Sequence, residues 1–174
     1  MTKRVVFLGD SLTAMGLWQE WFPDYACFNQ GVGGETTADL LKRLDAVGEQ
    51  RPDQILLLIG TNDIHTEVPD SQILANLRAI LERIGEGSPA NPSNAKVVVQ
   101  GLLPRTLELK ERIDGLNREY ATISEEYGAQ FIDVTPALAD QDGALRADFT
   151  DDMLHLTPPG YEVWVEVLKE QAFE

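Results

Sequence analysis

VVFLGDSLT, residues 5–13, is the stretch of the sequence that decides the fold. Its first four residues are aliphatic or aromatic without interruption, which is typical of a strand covered on both faces. The run ends at Gly9, and Asp10 and Ser11 are both favoured at helix N-termini. The stretch therefore predicts a buried strand that turns directly into a helix, with the Ser11 hydroxyl near exposed backbone N–H groups. By itself, Gly-Asp-Ser is explained better as a turn and a helix cap than as a nucleophile site.

The composition is that of one globular domain, which we predict to span residues 1–174. Hydrophobic residues make up 43% of the chain and charged residues 25%, so the chain can bury a core without disulfides or metals. The 14 Lys and Arg stand against 29 Asp and Glu, which gives a formal net charge of -15. That charge repels phosphate backbones and anionic surfaces, so nucleic acid is not expected as a partner.

Cysteine usage and hydropathy bear on the compartment. Cys27 is the only cysteine, so the sequence has neither a disulfide framework nor a thiolate metal cluster, and a cytoplasmic location is expected. No apolar run approaches the length of a membrane span, so membrane insertion is not expected. The apolar run after Lys3 and Arg4 reaches Asp10 too soon for a signal peptide.

Apolar runs and helical stripes alternate along the rest of the chain. Residues 85–94 are rich in Gly, Ser, Pro and Asn, and we interpret them as a surface loop because the valine run that comes next needs a sheet to join. Five strands alternating with helices predict the α/β class, with a parallel five-stranded sheet in a three-layer α/β/α sandwich. The later strands are predicted at 26–29, 54–59, 97–99 and 131–134, and the helical stripes at 40–47, 73–84, 109–127 and 158–168.

The turns after the first three strands carry the polar residues of interest. They lie at 9–13, 31–37 and 60–63. In a parallel sheet of this class, ligands bind beyond the carboxyl ends of the strands, near the switch in strand order. We therefore expect these three turns to converge on one site.

A serine nucleophile needs a base, and histidine suits that role near neutral pH. Of the two histidines, His155 follows Asp152 by three residues, so the carboxylate can reach its Nδ1 atom and orient it. His65 follows Asp63 by two residues, a spacing that does not place both side chains on the same side of a helix. We expect His155 to be the base and His65 to lie on the rim of the site.

Hydrolysis of an ester also needs hydrogen-bond donors aimed at the oxyanion. The backbone N–H of Ser11, the backbone N–H of Gly34 and the side-chain amide of Asn62 are the candidates, because each follows a different strand. Each residue alone has a structural explanation as a cap or a turn residue, but their joint occurrence with His155 predicts a serine hydrolase. The neighbouring Asp10 and Asp63 are expected to hold loops by hydrogen bonds, and Arg105 to clamp a carbonyl or a carboxylate.

Four blocks of the sequence resemble the four motif blocks of the SGNH (GDSL) hydrolase family, in the same order. They are Gly9-Asp10-Ser11-Leu12, Gly34 after Asn29-Gln30-Gly31, Gly60-Thr61-Asn62-Asp63 and Asp152-Met153-Leu154-His155. The resemblance covers nearly the whole chain and implies a flavodoxin-like fold and esterase activity with no metal or other cofactor. It implies that Ser11 is the nucleophile, that His155 is the general base oriented by Asp152, and that Ser11, Gly34 and Asn62 form the oxyanion hole.

Within this family the chain is most similar to the platelet-activating-factor acetylhydrolase Ib catalytic-subunit-like branch. The similarity lies in GVGGETT at 31–37, GLLPR at 101–105 and LHLT at 154–157. It implies a homodimer as the assembly. Those subunits usually carry a second Asn where this chain has Asp63, so a phospholipid substrate is not carried over from them.

The leading hypothesis is a serine acyl-ester hydrolase that cleaves short-chain esters of small molecules, acetyl esters above all, through an acyl-enzyme on Ser11. A thioesterase or a carbohydrate O-acetylesterase of the same family is the first alternative. A phosphate- or nucleotide-binding flavodoxin-like module using the glycines at 31–34 lacks the Lys-Ser or Lys-Thr pair of a P-loop. The last alternative is a metallohydrolase that would use Asp10, Asp63, Asp152 and His155.

Overall fold

Five parallel strands form one sheet in the computed structural model, which describes residues 1–173. The strands are β1 (Arg4–Gly9), β2 (Ala26–Gly31), β3 (Gln54–Leu58), β4 (Lys96–Gln100) and β5 (Gln130–Ile132). Their order is β2-β1-β3-β4-β5, so the order reverses at β1, which is the flavodoxin-like arrangement. The predicted parallel α/β sheet is confirmed. Residue 174, the end of the predicted domain, lies outside the described residues.

The helices cover both faces of the sheet. One face carries α3 (Thr37–Leu41), α4 (Asp45–Gly48), α5 (Thr61–His65), α6 (Asp70–Arg83) and α7 (Lys110–Glu126). The other carries α1 (Ser11–Ala14), α2 (Trp18–Trp21), α8 (Thr135–Leu138) and α9 (Pro158–Gln171). Each face buries its own apolar cluster against the sheet, which confirms the three-layer sandwich. Within residues 1–173, no helix has the length and apolar content needed to cross a membrane.

The structure differs from the sequence prediction at residues 40–47. We expect one helix there, whereas α3 ends at Leu41 and α4 begins at Asp45. The backbone between them closes tight turns, because the N–H of Arg43 bonds to Leu40 O and that of Val47 to Leu44 O. Leu40, Leu44 and Val47 remain fully buried, so the stripe predicts the buried face correctly and the helix continuity wrongly.

The turn from β1 into α1 is tightly packed. A Cβ atom on Gly9 would lie 2.2 Å from the carbonyl oxygen of Leu58 and 2.4 Å from Thr13 Oγ1, so only glycine fits. Asp10 caps α1 by accepting a hydrogen bond from the Leu12 N–H at 3.0 Å. The predicted strand-to-helix turn is therefore confirmed, and it fixes Ser11 as the first residue of α1 at the carboxyl end of β1.

Candidate active site

A chain of two hydrogen bonds joins Ser11, His155 and Asp152. The Ser11 Oγ atom lies 3.1 Å from His155 Nε2, and His155 Nδ1 lies 2.6 Å from Asp152 Oδ2. The side chain of His155 is 35% exposed and that of Asp152 is 51% exposed, so a small molecule can reach the imidazole. In this arrangement a hydroxyl proton can pass to the imidazole while the carboxylate stabilises the imidazolium that forms.

Asp152 sits in a loop that its own carboxylate closes. Its Oδ1 atom accepts hydrogen bonds from the N–H of Leu154 at 2.9 Å and of His155 at 2.7 Å. Met153 adopts a left-handed φ of 60° in this loop. The hydrogen bond with His155 is the main cause that lowers the pKa of Asp152 to about 2, so this carboxylate is ionised at neutral pH. The three-residue spacing of Asp152 and His155 suggests a contact across a helical turn, whereas the two side chains meet across this loop.

Arg105 ties the Asp152 loop to the helix after β3. Its Nε donates to the Met153 carbonyl at 3.1 Å and its Nη1 to Thr61 Oγ1 at 3.2 Å. Burial lowers the pKa of this guanidinium, and the charge of Asp152 opposes that effect. The expectation that Arg105 clamps a carbonyl is confirmed. The clamped carbonyl lies two residues before His155, so Arg105 holds the backbone of the loop that carries the imidazole.

The three oxyanion candidates lie on α1, on the loop after β2 and on α5. Among residues 1–173, neither the Ser11 N–H nor the Gly34 N–H donates a hydrogen bond, and Gly34 has a left-handed φ of 79°. A Cβ on Gly33 would lie 3.9 Å from Ser11 Cβ, so this loop passes beside the serine. One amide hydrogen of Asn62 donates to the Glu35 carbonyl at 2.9 Å, which leaves the second for a ligand.

Arg43 holds the loop that carries Gly34. Its guanidinium forms a bidentate pair with Glu35, at 2.7 Å in the closest contact, and also donates to the Gln30 carbonyl at 2.9 Å. The two side chains of the pair are only 23% and 13% exposed. Sequence patterns did not reveal this pair. The sequence feature that could have indicated it is the position of Arg43 within the apolar stripe at 40–47, where a solvent-exposed arginine is not expected.

Asp63 joins α5 to α3. Its two carboxylate oxygens accept from the Thr37 N–H at 2.9 Å and from Thr37 Oγ1 at 2.6 Å. The same hydroxyl accepts from Asn76 Nδ2 at 2.8 Å, so all three side chains are satisfied in the interior. The expected loop-holding role of Asp63 is confirmed. The two contacts also explain why this position carries an aspartate. In an asparagine, one oxygen would be replaced by an NH2 group, which would face a hydrogen-bond donor of Thr37.

Asp10 is buried next to the serine with half of its carboxylate unpaired. It is 0% exposed, its Oδ1 accepts from Leu12, and its Oδ2 has no partner in the described chain. Burial raises the pKa of this carboxyl to about 7. The positive charge of His155 opposes that rise and the negative charge of Asp63 adds to it. The loop-holding role is confirmed, but the sequence does not predict the raised pKa, because burial depends on distant segments.

The other histidine, His65, is not part of the hydrogen-bonded chain that joins Ser11, His155 and Asp152. His65 is the last residue of α5 and is exposed. Across residues 1–173, no three His, Cys, Asp or Glu side chains form a group that could hold a metal ion. The four residues that a metallohydrolase would use, Asp10, Asp63, Asp152 and His155, are therefore not gathered as a ligand set.

Comparisons with known proteins identify a family and related folds. The model of the GDSL-like Lipase/Acylhydrolase family matches residues 7–163. Platelet-activating factor acetylhydrolase IB subunit alpha1 of Bos taurus is 32% identical over 170 residues, covering 91% of this chain and 70% of that protein. Subunit alpha2 of Rattus norvegicus is 29% identical over 171 residues, covering 90% and 70%. A GDSL-like lipase from Bacteroides thetaiotaomicron shares the fold, with a TM-score of 0.81 at 22% identity, over 97% of this chain and 86% of that chain.

Proposed function

The chain belongs to the GDSL-like Lipase/Acylhydrolase family, and from this premise we propose that it is a serine hydrolase of short-chain acyl esters that acts through an acyl-enzyme on Ser11. The observation that carries the proposal is the hydrogen-bonded chain from Ser11 through His155 to Asp152, with contacts of 3.1 Å and 2.6 Å. The relatives named acetylhydrolases support an acetyl group as the acyl half of the substrate.

In the first half-reaction, Ser11 Oγ attacks the ester carbonyl carbon while His155 Nε2 takes the hydroxyl proton. The carbonyl oxygen gains a negative charge, which the N–H groups of Ser11 and Gly34 and the free amide hydrogen of Asn62 would stabilise. His155 then gives its proton to the alcohol oxygen, the carbon–oxygen bond breaks, and the acyl group stays on the serine. The alcohol leaves.

In the second half-reaction, a water molecule replaces the alcohol. His155 takes a proton from the water, the hydroxide attacks the acyl carbon, and the same donors stabilise the second oxyanion. The proton then returns to Ser11 Oγ, which leaves a free carboxylic acid and the starting enzyme. Asp152 remains ionised throughout, because its pKa is held near 2.

Hydrolysis of p-nitrophenyl acetate tests this proposal. We expect Ser11→Ala to lower kcat by about 10⁴-fold or more. Ser71→Ala is the matched control, because Ser71 is an exposed serine in the first turn of α6. Activity that survives in Ser11→Ala refutes the acyl-enzyme on Ser11.

Two further measurements test which acyl groups the protein accepts and whether the reaction needs a metal ion. We expect kcat/KM to fall along p-nitrophenyl acetate, butyrate and octanoate, and a rise along that series would contradict the acetyl preference. Activity is also expected to survive dialysis against EDTA. Loss of activity with EDTA and its return with a divalent cation would favour the metallohydrolase alternative instead.

A further inference from the structure

An apolar groove of about 310 Å³ opens beside His155. One wall comes from the segment after α1 and from α2, and the other from the segment that runs from His155 into α9. Seven residues line the groove, and only the last of them is charged: Met15, Leu17, Trp21, Leu156, Pro158, Tyr161 and Glu162. Its volume lies at the lower end of the range for small-molecule sites.

The walls combine exposed apolar side chains with a fixed aromatic floor. Met15 is 53% exposed and Leu17 is 52% exposed, although both are large and apolar. The rings of Trp21 and Tyr161 stack with centroids 5.4 Å apart. Tyr161 is further fixed because its hydroxyl donates to the Leu12 carbonyl at 2.6 Å. Exposed apolar surface over a rigid floor is typical of a binding site for an apolar group.

The groove is lined by residues that lie close along the chain to Ser11 and His155. The Met15 N–H bonds to the Ser11 carbonyl at 3.0 Å, so Met15 lies one helical turn after the serine, with the two Cβ atoms about 6 Å apart. Leu156 directly follows His155 in the chain. An apolar chain bound in the groove would therefore have one end next to the Ser11 and His155 side chains.

The position beside His155 identifies which half of an ester the groove receives. His155 must deliver its proton to the alcohol oxygen, so that oxygen lies within hydrogen-bond reach of Nε2. The proposed oxyanion donors Gly34 and Asn62 lie on different elements, after β2 and β3, and neither lines the groove, so a carbonyl oxygen bound to them would point away from it. The alcohol half of the substrate therefore points along the 155–161 wall.

We infer that the groove binds the alcohol moiety of the ester and that this moiety is a neutral, apolar chain. The inference rests on the proposed function and adds the class of alcohol to it. No basic side chain lines the groove in the described chain, and Glu162 borders it, so an anionic alcohol is disfavoured. Binding in the groove holds the alcohol oxygen next to His155 and raises kcat/KM with the length of the chain.

Two series of esters test the inference. The first lengthens the alcohol, as methyl, butyl and hexyl acetate, and the second lengthens the acyl group, as methyl butyrate and methyl hexanoate. Full burial of a methylene corresponds to about fourfold, so an open groove is expected to give roughly twofold per methylene. That predicts kcat/KM about thirtyfold higher for hexyl than for methyl acetate, whereas the acyl series does not rise.

Variants then assign the preference to the groove. The double variant Met15→Ser/Leu17→Ser is expected to reduce the hexyl-to-methyl ratio to below about fivefold, and Leu17→Met to retain it. Tyr127→Ser is the control, because Tyr127 is a large aromatic residue that is 42% exposed and lies after α7, outside the groove. It is expected to keep both the ratio and the activity on methyl acetate.

The outcomes separate this inference from the proposed function. Loss of methyl acetate hydrolysis in Ser11→Ala tests the proposed function alone. The inference is overturned if the alcohol series is flat, if the preference follows the acyl series, or if the double variant keeps the thirtyfold ratio. It is also overturned if the double variant leaves the ratio unchanged and converts a dimer to a monomer in size-exclusion chromatography, because the groove is then an interface between copies of this chain.

Discussion

Asp10→Asn tests whether the buried carboxyl beside Ser11 controls how stability depends on pH. The side chain is 0% exposed and one of its oxygens has no partner in the described chain. Burial raises its pKa from the ordinary value of 3.8 to about 7. Asparagine keeps the oxygen that accepts from the Leu12 N–H and removes the charge. The substitution is therefore close to isosteric and abolishes the titration.

The magnitude comes from the two pKa values. Between pH 4 and pH 7 the folded protein holds a proton on Asp10 that the unfolded chain has released, so the free energy of unfolding decreases as the pH rises. From pH 5 to pH 8 the decrease is on the order of 3 kcal/mol. The stabilisation is present at low pH and is lost as the pH passes through the folded pKa. Asp10→Asn is expected to lack this decrease.

Urea unfolding of both proteins at pH 5, 6, 7 and 8 provides the measurement. The difference in unfolding free energy is expected to move in favour of the variant by about 3 kcal/mol across the series. Asp133→Asn is the matched control, because its carboxylate accepts a similar local bond from the Thr135 N–H but is exposed. Parallel curves for wild type and Asp10→Asn would refute the reasoning, because Asp10 would then titrate alike in both states.

Three further predictions concern residues that position the site. Asp152→Asn is expected to lower kcat for p-nitrophenyl acetate by about 10³- to 10⁴-fold with an unchanged circular dichroism spectrum, and full activity would remove Asp152 from the mechanism. Arg105→Ala removes the hydrogen bond to the Met153 carbonyl and is expected to lower kcat about tenfold, whereas Arg105→Lys is expected to lower it less. Equal kcat values for the two variants would contradict a clamp. Arg43→Ala leaves the largely buried Glu35 carboxylate without its partner and is expected to lower the free energy of unfolding, measured in urea, by about 3 kcal/mol. The double variant Arg43→Ala/Glu35→Ala is expected to restore stability, and failure to do so would contradict the pairing.

Residues 40–47 show why the sequence predicts buried faces better than helix continuity. The stripe of apolar residues reflects which side chains face the sheet, and Leu40, Leu44 and Val47 do face it. Arg43 lies in the break between α3 and α4, and its side chain donates to Glu35 and to the Gln30 carbonyl. That interaction is between segments that the local pattern does not connect, so periodicity alone could not reveal it.

The sequence by itself determined the strands, the helices α1, α6, α7 and α9, the parallel sheet and the residues proposed for the site. These depend on local patterns: apolar runs of strand length, stripes at helical spacing, and glycines where strands end. The opening stretch, residues 5–13, predicted its strand, its turn and its helix correctly.

Only the tertiary structure decided distances, burial and the shape of the groove. The contact between Ser11 and His155 joins residues 144 positions apart, and the raised pKa of Asp10 arises from burial by segments far from it in sequence. The groove exists because the segment after α1 packs opposite the start of α9. Hydrogen bonds and desolvation depend on where atoms of distant segments lie, and no local pattern in the chain encodes those positions.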